Sequence, residues 1–139
     1  WEAWASGTGL GVLAREVVAR GDAPSVLAAA GGSPEAVTGE HVSRAALNGA
    51  ADALAVLDTY ADFVAVGFAG LANVLDPEAI VISGGLVNVG AVLVDRIRDR
   101  FPRHLEGREF RPEIPIVAAQ LGDQAGVIGA AVLARQVVV

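Results

Sequence analysis

Two places in the chain carry the residue types with most chemical potential: Glu2, within Trp1-Glu2-Ala3-Trp4, and the pair Gly84-Gly85 that follows Ile80-Val81-Ile82-Ser83. A carboxylate at Glu2 can accept hydrogen bonds from two neighbouring hydroxyls of a sugar. A glutamate at a helix start can equally do no more than complement the helix dipole. Gly84 and Gly85 lack Cβ, so the chain can turn there with positive φ, and an adenine or ribose can approach the main chain closely. The same pair can also serve as a plain strand-to-helix turn. No G-x-x-x-x-G-K-[ST] and no G-x-G-x-x-G occurs, so neither standard phosphate cradle is available.

The other candidates read as structural. Asp123, in Leu121-Gly122-Asp123-Gln124, suits an N-cap of the last helix. The cluster Arg96, Arg98, Arg100, Arg103, His104, Arg108 and Arg111 is interleaved with Asp95, Asp99, Glu106 and Glu109, which largely cancel it, and reads as a solvated face coated by long Arg stems. His41 and His104 lie far apart without metal-ligand spacing. There is no Ser-His-Asp or G-x-S-x-G arrangement and no group suited as a base for phosphoryl transfer.

The elements that must position Glu2 and the glycines follow from hydrophobic period and punctuation. A helix is expected from Glu2 to about Ala19, ending at Arg20-Gly21; a surface connection over 22–37 with a turn or two of helix across Ser25–Ala30; and a short helix from an N-cap at Thr38 to Leu47, ended by Asn48-Gly49. The longest helix runs from Ala50 to about Asn73, presenting Leu54, Leu57, Phe63, Val64, Phe68 and Leu71 to a sheet, with Gly67 and Gly70 allowing close contact with a neighbour. Asp76-Pro77 stops it. Residues 79–83 are expected as a fully buried strand because Ile80, Val81 and Ile82 are β-branched and uninterrupted. A helix over Val89–Arg100, a basic loop over Phe101–Pro112, a second strand over Ile114–Ala118 and an Ala-rich closing helix from Asp123 to about Val137 complete the order. Gly126 and Gly129 give that helix a bare strip suited to packing. The alternation predicts an α/β layer with at least two parallel strands.

Composition narrows the function classes. With 139 residues, 53% hydrophobic and 19% charged, the chain can bury one sizeable core. A net charge of −6 disfavours non-specific nucleic-acid binding. All ten basic residues are Arg, and the absence of cysteine removes disulfides and thiolate metal sites and fits a cytoplasmic protein. The apolar stretches around Ala50–Leu57 and Phe63–Leu75 are broken by Asp58, Asp62 and Asn73, so a membrane span is not expected. The opening Trp1-Glu2-Ala3-Trp4, without an initiator Met, reads as a cut from a longer chain.

Three blocks, Trp1-Glu2-Ala3-Trp4-Ala5-Ser6-Gly7-Thr8, Asp76-Pro77-Glu78-Ala79-Ile80-Val81-Ile82-Ser83-Gly84-Gly85, and Leu121-Gly122-Asp123-Gln124-Ala125-Gly126-Val127-Ile128-Gly129-Ala130-Ala131, resemble successive blocks of ROK-family sugar kinases, and residues 103–112 look like actinobacterial glucokinases. The resemblance implies an actin-like ATPase fold, with residues 1–139 forming part of the C-terminal lobe: a ribonuclease-H-like α/β unit of long helices on a small sheet. It implies that Glu2 contacts sugar hydroxyls and that Gly84 and Gly85 contact the adenosine part of ATP. The parent would transfer the γ-phosphoryl group of ATP, with Mg²⁺, to glucose or a related hexose. The family's catalytic aspartate and phosphate loops have no counterpart in these residues, so no catalytic residue is assigned and the chain alone is expected to be inactive. The family's structural zinc would belong to the parent, and no metal ligand is assigned in this chain. A homo-oligomer, a dimer, is expected. Two alternatives stand beside this: the sensor lobe of a ROK-type sugar-responsive transcriptional repressor, which alone would bring nucleic acid as a partner, and a structural or dimerisation fragment.

Overall fold

The computed structural model describes residues 1–83 and 89–137. Its elements run α1 (Gly7–Ala19), α2 (Pro24–Ala29), α3 (Gly39–Leu47), α4 (Ala51–Leu75), β1 (Ile80–Ile82), α5 (Ala91–His104), β2 (Ile116–Ala118) and α6 (Ala125–Val137), with short 3-10 turns at Pro34–Ala36, Arg108–Phe110 and Gly122–Gln124. β1, α5 and β2 form a parallel unit with Ile80 opposite Ile116, Val81 opposite Val117 and Ile82 opposite Ala118. The ladder is extended at both ends, where Ile80 N–H donates to the Pro115 carbonyl at 2.9 Å and Ala119 N–H to the Ile82 carbonyl at 2.8 Å. Pro115 thus sits just before the strand, where its missing N–H costs nothing in the ladder.

The expected helix punctuation is largely present. Arg20 and Asn48 cap α1 and α3, followed by Gly21 at φ 84° and Gly49 at φ 81°. Thr38 is the N-cap of α3, and its N–H donates to Nδ1 of His41 at 3.1 Å. α4 ends on Asp76 in the left-handed conformation, φ 46°. Arg111 closes that end, hydrogen-bonding the Asp76 carboxylate and the Ala72 carbonyl, so a cation meets the negative pole of the helix.

Several expectations are corrected. α1 begins at Gly7, not Glu2: Ser6 is the N-cap and its hydroxyl accepts the Gly9 N–H at 3.1 Å, which takes precedence over a start among the tryptophans. β1 is not fully buried, since Ile82 is 5% exposed but Val81 is 61% exposed; among the described residues the sheet has two strands, and helices cover one face only. α4 lies against α5 and the α1–α3 layer, with α5 between it and β2. Its buried face is Ala53, Val56, Leu57, Tyr60, Ala61, Val64, Ala65, Ala69 and Ala72, while Phe63 and Leu71 are partly exposed. The alanines let α5 approach closely enough to bury Leu93, Val94, Ile97 and Phe101. α5 runs on to His104 through Pro102, where loop was expected, because Phe101 is anchored in the core at 3% exposure.

The arginine cluster is only in part a solvated face. Asp58 of α4 accepts ion pairs from Arg96 at 3.0 Å and Arg100 at 2.7 Å, His104 meets Asp62 at 2.9 Å, and Arg98 donates to the Ile116 carbonyl at 2.7 Å. These side chains tie α5 to α4 on one side and to β2 on the other. α4 is long and apolar enough by composition to cross a membrane, yet its Asp58 and Asp62 are engaged in these pairs and its alanine face is the centre of the core. At the other end of the chain, a Cβ placed on Gly126 or Gly129 would meet nothing within 4 Å, and residues 126–136 are exposed, so the bare strip of α6 is not packed among the described residues.

Candidate functional site

A groove of about 860 Å³ opens where the N-termini of α1 and α3 converge. Gly7, Thr8, Leu10, Gly11 and Arg15 of α1 and Thr38, Gly39, Glu40, Ser43 and Arg44 of the α3 side line it, together with Leu47, Asn48 and Val89. The two helix starts can approach because Gly39 carries no side chain: a Cβ there would stand 3.0 Å from the Gly7 carbonyl oxygen and 3.3 Å from Leu10 Cδ2. Backbone N–H groups in the first turn of a helix have no intrahelical acceptor. Ser6 Oγ takes that of Gly9, so Gly7 and Thr8 of α1, and Gly39 and Glu40 of α3, supply N–H groups at the groove. Both flanking guanidiniums are held in place, Arg15 on the Val37 carbonyl at 2.8 Å and Arg44 on the Ala29 carbonyl. The lining therefore combines apolar Leu10, Leu47 and Val89 with hydroxyls, N–H donors and one carboxylate, a mixture suited to a nucleoside with its ribose.

Glu2 stands outside this groove, on the turn that leads into α1. The turn is closed by the Trp4 and Ala5 N–H groups, both donating to the Trp1 carbonyl at 2.9 and 3.0 Å. It is folded back onto the first turn of α1, where a Cβ on Gly9 would collide with the Trp4 carbonyl oxygen at 2.5 Å. Glu2 itself is exposed and, among the described residues, takes no ion pair. A fixed backbone with an uncommitted carboxylate can receive a polyol. Gly84 and Gly85 lie outside the described residues; Val89, shortly after them in sequence, lines the groove. Asp123 belongs to the 3-10 turn Gly122–Gln124, two residues before α6 begins, rather than to a simple N-cap position.

Thr8, Arg15, Thr38, Glu40, Ser43 and Arg44 do not stand out in the sequence as site residues. The available signal is the small-residue helix start repeated at Ser6-Gly7-Thr8-Gly9 and Thr38-Gly39-Glu40, which no single motif captures. Among the described residues no three His, Asp or Glu side chains gather as a metal site, and the chain has no cysteine. These residues therefore do not fit a Mg²⁺ or zinc centre of their own.

Comparison with known proteins matches residues 1–137 to the ROK family. A glucokinase from Streptomyces coelicolor is 39% identical over 98% of this chain and 44% of its own length, and a glucokinase from Halalkalibacterium halodurans is 38% identical over 97% of this chain and 40% of its own. The crystal structure of a ROK family glucokinase from Streptomyces griseus in complex with glucose and AMPPNP superposes with a TM-score of 0.88 at 39% identity, covering 98% of this chain and 44% of that one. The present chain thus spans less than half the length of the relatives it matches, and its α/β architecture is the corresponding part of an actin-like ATPase fold. With that agreement of sequence and structure along nearly every residue, the chain belongs to the ROK family.

Proposed function

We propose that this chain is part of the C-terminal lobe of an ATP-dependent glucokinase that transfers the γ-phosphoryl group to a glucose hydroxyl. The observation that carries the reading is the 0.88 superposition on a glucokinase that binds glucose and AMPPNP, an ATP analogue, at 39% identity over 98% of the chain. In this reading Glu2 accepts hydrogen bonds from two sugar hydroxyls, and Gly84 and Gly85, with the groove between α1 and α3, hold the adenosine part of ATP. The chain supplies binding and orientation, which in phosphoryl transfer is much of the catalysis. The acid–base group and the Mg²⁺-bearing side chains belong to the rest of the protein. One carboxylate does not by itself select glucose among hexoses, so the sugar assignment rests on the glucokinase relatives. The reading carries with it a homodimer and residence in the cytoplasm, where ATP is at hand. The repressor and purely structural alternatives draw no support from these relatives.

The test is a coupled assay of glucose phosphorylation on the full-length protein and on residues 1–139 alone. Activity only in the full-length protein, and a Glu2→Gln variant whose glucose KM rises on the order of a hundredfold through loss of a charge-assisted pair of hydrogen bonds, is the expected result. Turnover by residues 1–139, or a full-length protein that phosphorylates no hexose, would overturn it.

A further inference from the structure

Trp1 is placed across α4 in a way that only glycine at position 67 permits. A Cβ on Gly67 would lie 1.9 Å from Cε2, 2.0 Å from Nε1 and 2.6 Å from Cδ1 of the indole, far inside any real carbon contact. The ring lies on bare helix backbone. Its Nε1–H donates to the Phe63 carbonyl at 3.0 Å, the carbonyl that in a regular helix also receives the Gly67 N–H. The Phe68 ring stands 5.8 Å away at 59°, and the next tryptophan, Trp4, packs on Phe63 with centroids 5.9 Å apart. Residues 63–68 of α4 are thus a platform for both tryptophans, and Glu2 lies with Ala3 in the two-residue span between them. The Trp1 carbonyl, which closes the turn by accepting from Trp4 and Ala5, belongs to the same residue as the docked ring.

We propose that Gly67 and Trp1 are positioning residues for the sugar: the missing side chain at 67 seats the indole, and the seated indole fixes the turn that presents Glu2. This rests on the assignment of Glu2 to sugar hydroxyls. Gly67 has no other evident reason to be glycine. It is mid-helix with ordinary helical φ, where alanine is the better helix former. By contrast, Gly70 one turn on has nothing within 4 Å. A methyl at 67 must push the ring outward by about 1.5 Å to regain a normal carbon contact of roughly 3.5 Å. A carboxylate carried along by a shift of that size loses alignment with its two hydroxyls, and displacements of about 1 Å are enough to cost large factors in rate.

The experiment uses the full-length kinase with Gly67→Ala, Trp1→Ala, the double variant, Gly70→Ala and Glu2→Gln, reading KM for glucose and for ATP separately. Gly67→Ala and Trp1→Ala are each expected to raise the glucose KM on the order of tenfold with the ATP KM unchanged. The double variant is expected to be no worse than Trp1→Ala, because the methyl then has nothing to displace. Gly70→Ala changes neither KM. Trp1→Phe, which keeps a ring but loses the hydrogen bond to Phe63, falls between, and it carries the test with Trp1→Ala if Gly67→Ala does not fold. A raised KM in Glu2→Gln together with an unchanged one in Gly67→Ala and Trp1→Ala overturns the positioning role and leaves the sugar assignment standing. An unchanged glucose KM in Glu2→Gln overturns both. Equal rises in both KM values for Gly67→Ala mark a general distortion and refute the inference.

Discussion

Replacing Tyr60 by Phe is expected to stabilise the protein, against the usual sign for a core substitution. Tyr60 lies on the inner face of α4 at 0% exposure, and its hydroxyl has no hydrogen-bond partner among the described residues. A buried hydroxyl left unsatisfied costs about 1–3 kcal/mol, whereas the ring that Phe retains supplies the packing. At neutral pH the variant should therefore gain about 1 kcal/mol. The same burial pushes the phenol up from 10.0 to about 12. Because the folded state favours the protonated form, Tyr60 leaves stability unchanged below pH 10 and lowers it progressively as pH rises from 10 to about 12, by a few kcal/mol in all. The advantage of Tyr60→Phe should widen by about 1.4 kcal/mol between pH 7 and one unit above the unfolded pKa. Urea unfolding at the two pH values measures this. Since the chain has one tyrosine, tyrosinate absorbance in the folded protein reads the shift directly. A loss of more than about 1 kcal/mol at pH 7 would mean the hydroxyl is bonded, and a midpoint near the unperturbed value would refute the desolvation argument.

Two further substitutions test how the helices are tied together. Asp52 of α4 accepts the Ser25 N–H at 2.6 Å and so caps α2 from another helix; burial alone would raise its pKa, but the hydrogen bonds from Ser25 and from the Ala53 and Asp52 backbone together outweigh it and the net shift is downward. A depressed carboxylate stabilises above its unfolded pKa of 3.8 and loses that contribution as pH falls below it, so Asp52→Ala should cost about 1 kcal/mol at pH 7 and show a flatter acid unfolding profile than the parent. Asp58→Asn removes the carboxylate charge that pairs with both Arg96 and Arg100; with the carboxylate 44% and the guanidiniums 25% and 19% exposed, solvent screening limits the loss to about 1–2 kcal/mol. Thermal unfolding at low and high salt checks it: a loss that does not shrink with salt would show that packing, not charge, joins α4 to α5.

What the residues disclosed in advance depended on how local the physics was. The β1–α5–β2 unit was legible because each part has its own signal: Asp76-Pro77 to stop a helix, two β-branched runs, and an amphipathic stretch between them that requires a crossover. Gly21, Gly49 and Thr38 likewise act through their own φ or their own hydroxyl. The inner face of α4 was not legible, because period alone favoured the large residues Phe63 and Leu71, while the close approach of α5 selected the alanines around Tyr60. The groove between α1 and α3 was hidden for a related reason, since it exists only when two helix starts some thirty residues apart in sequence meet at Gly39. The Trp1–Gly67 contact spans twice that separation and leaves no pattern at either end.

The burial of the sheet shows where sequence reading stops for a deeper reason. Ile80-Val81-Ile82 has the composition of a strand covered on both faces, yet Val81 is exposed, as are Val117 beside it and Val127, Val132 and Leu133 on α6. Hydrophobicity reports that a surface wants cover, not which surface covers it. On the α4–α5 side the chain meets that demand itself, and the sequence expectation holds. On the outer face it does not, in a chain that spans 44% of the length of its Streptomyces coelicolor relative. Val81, Val117 and the exposed valines and leucine of α6 are thus left without cover among the described residues, and their hydrophobicity states a demand for cover without naming the surface that meets it.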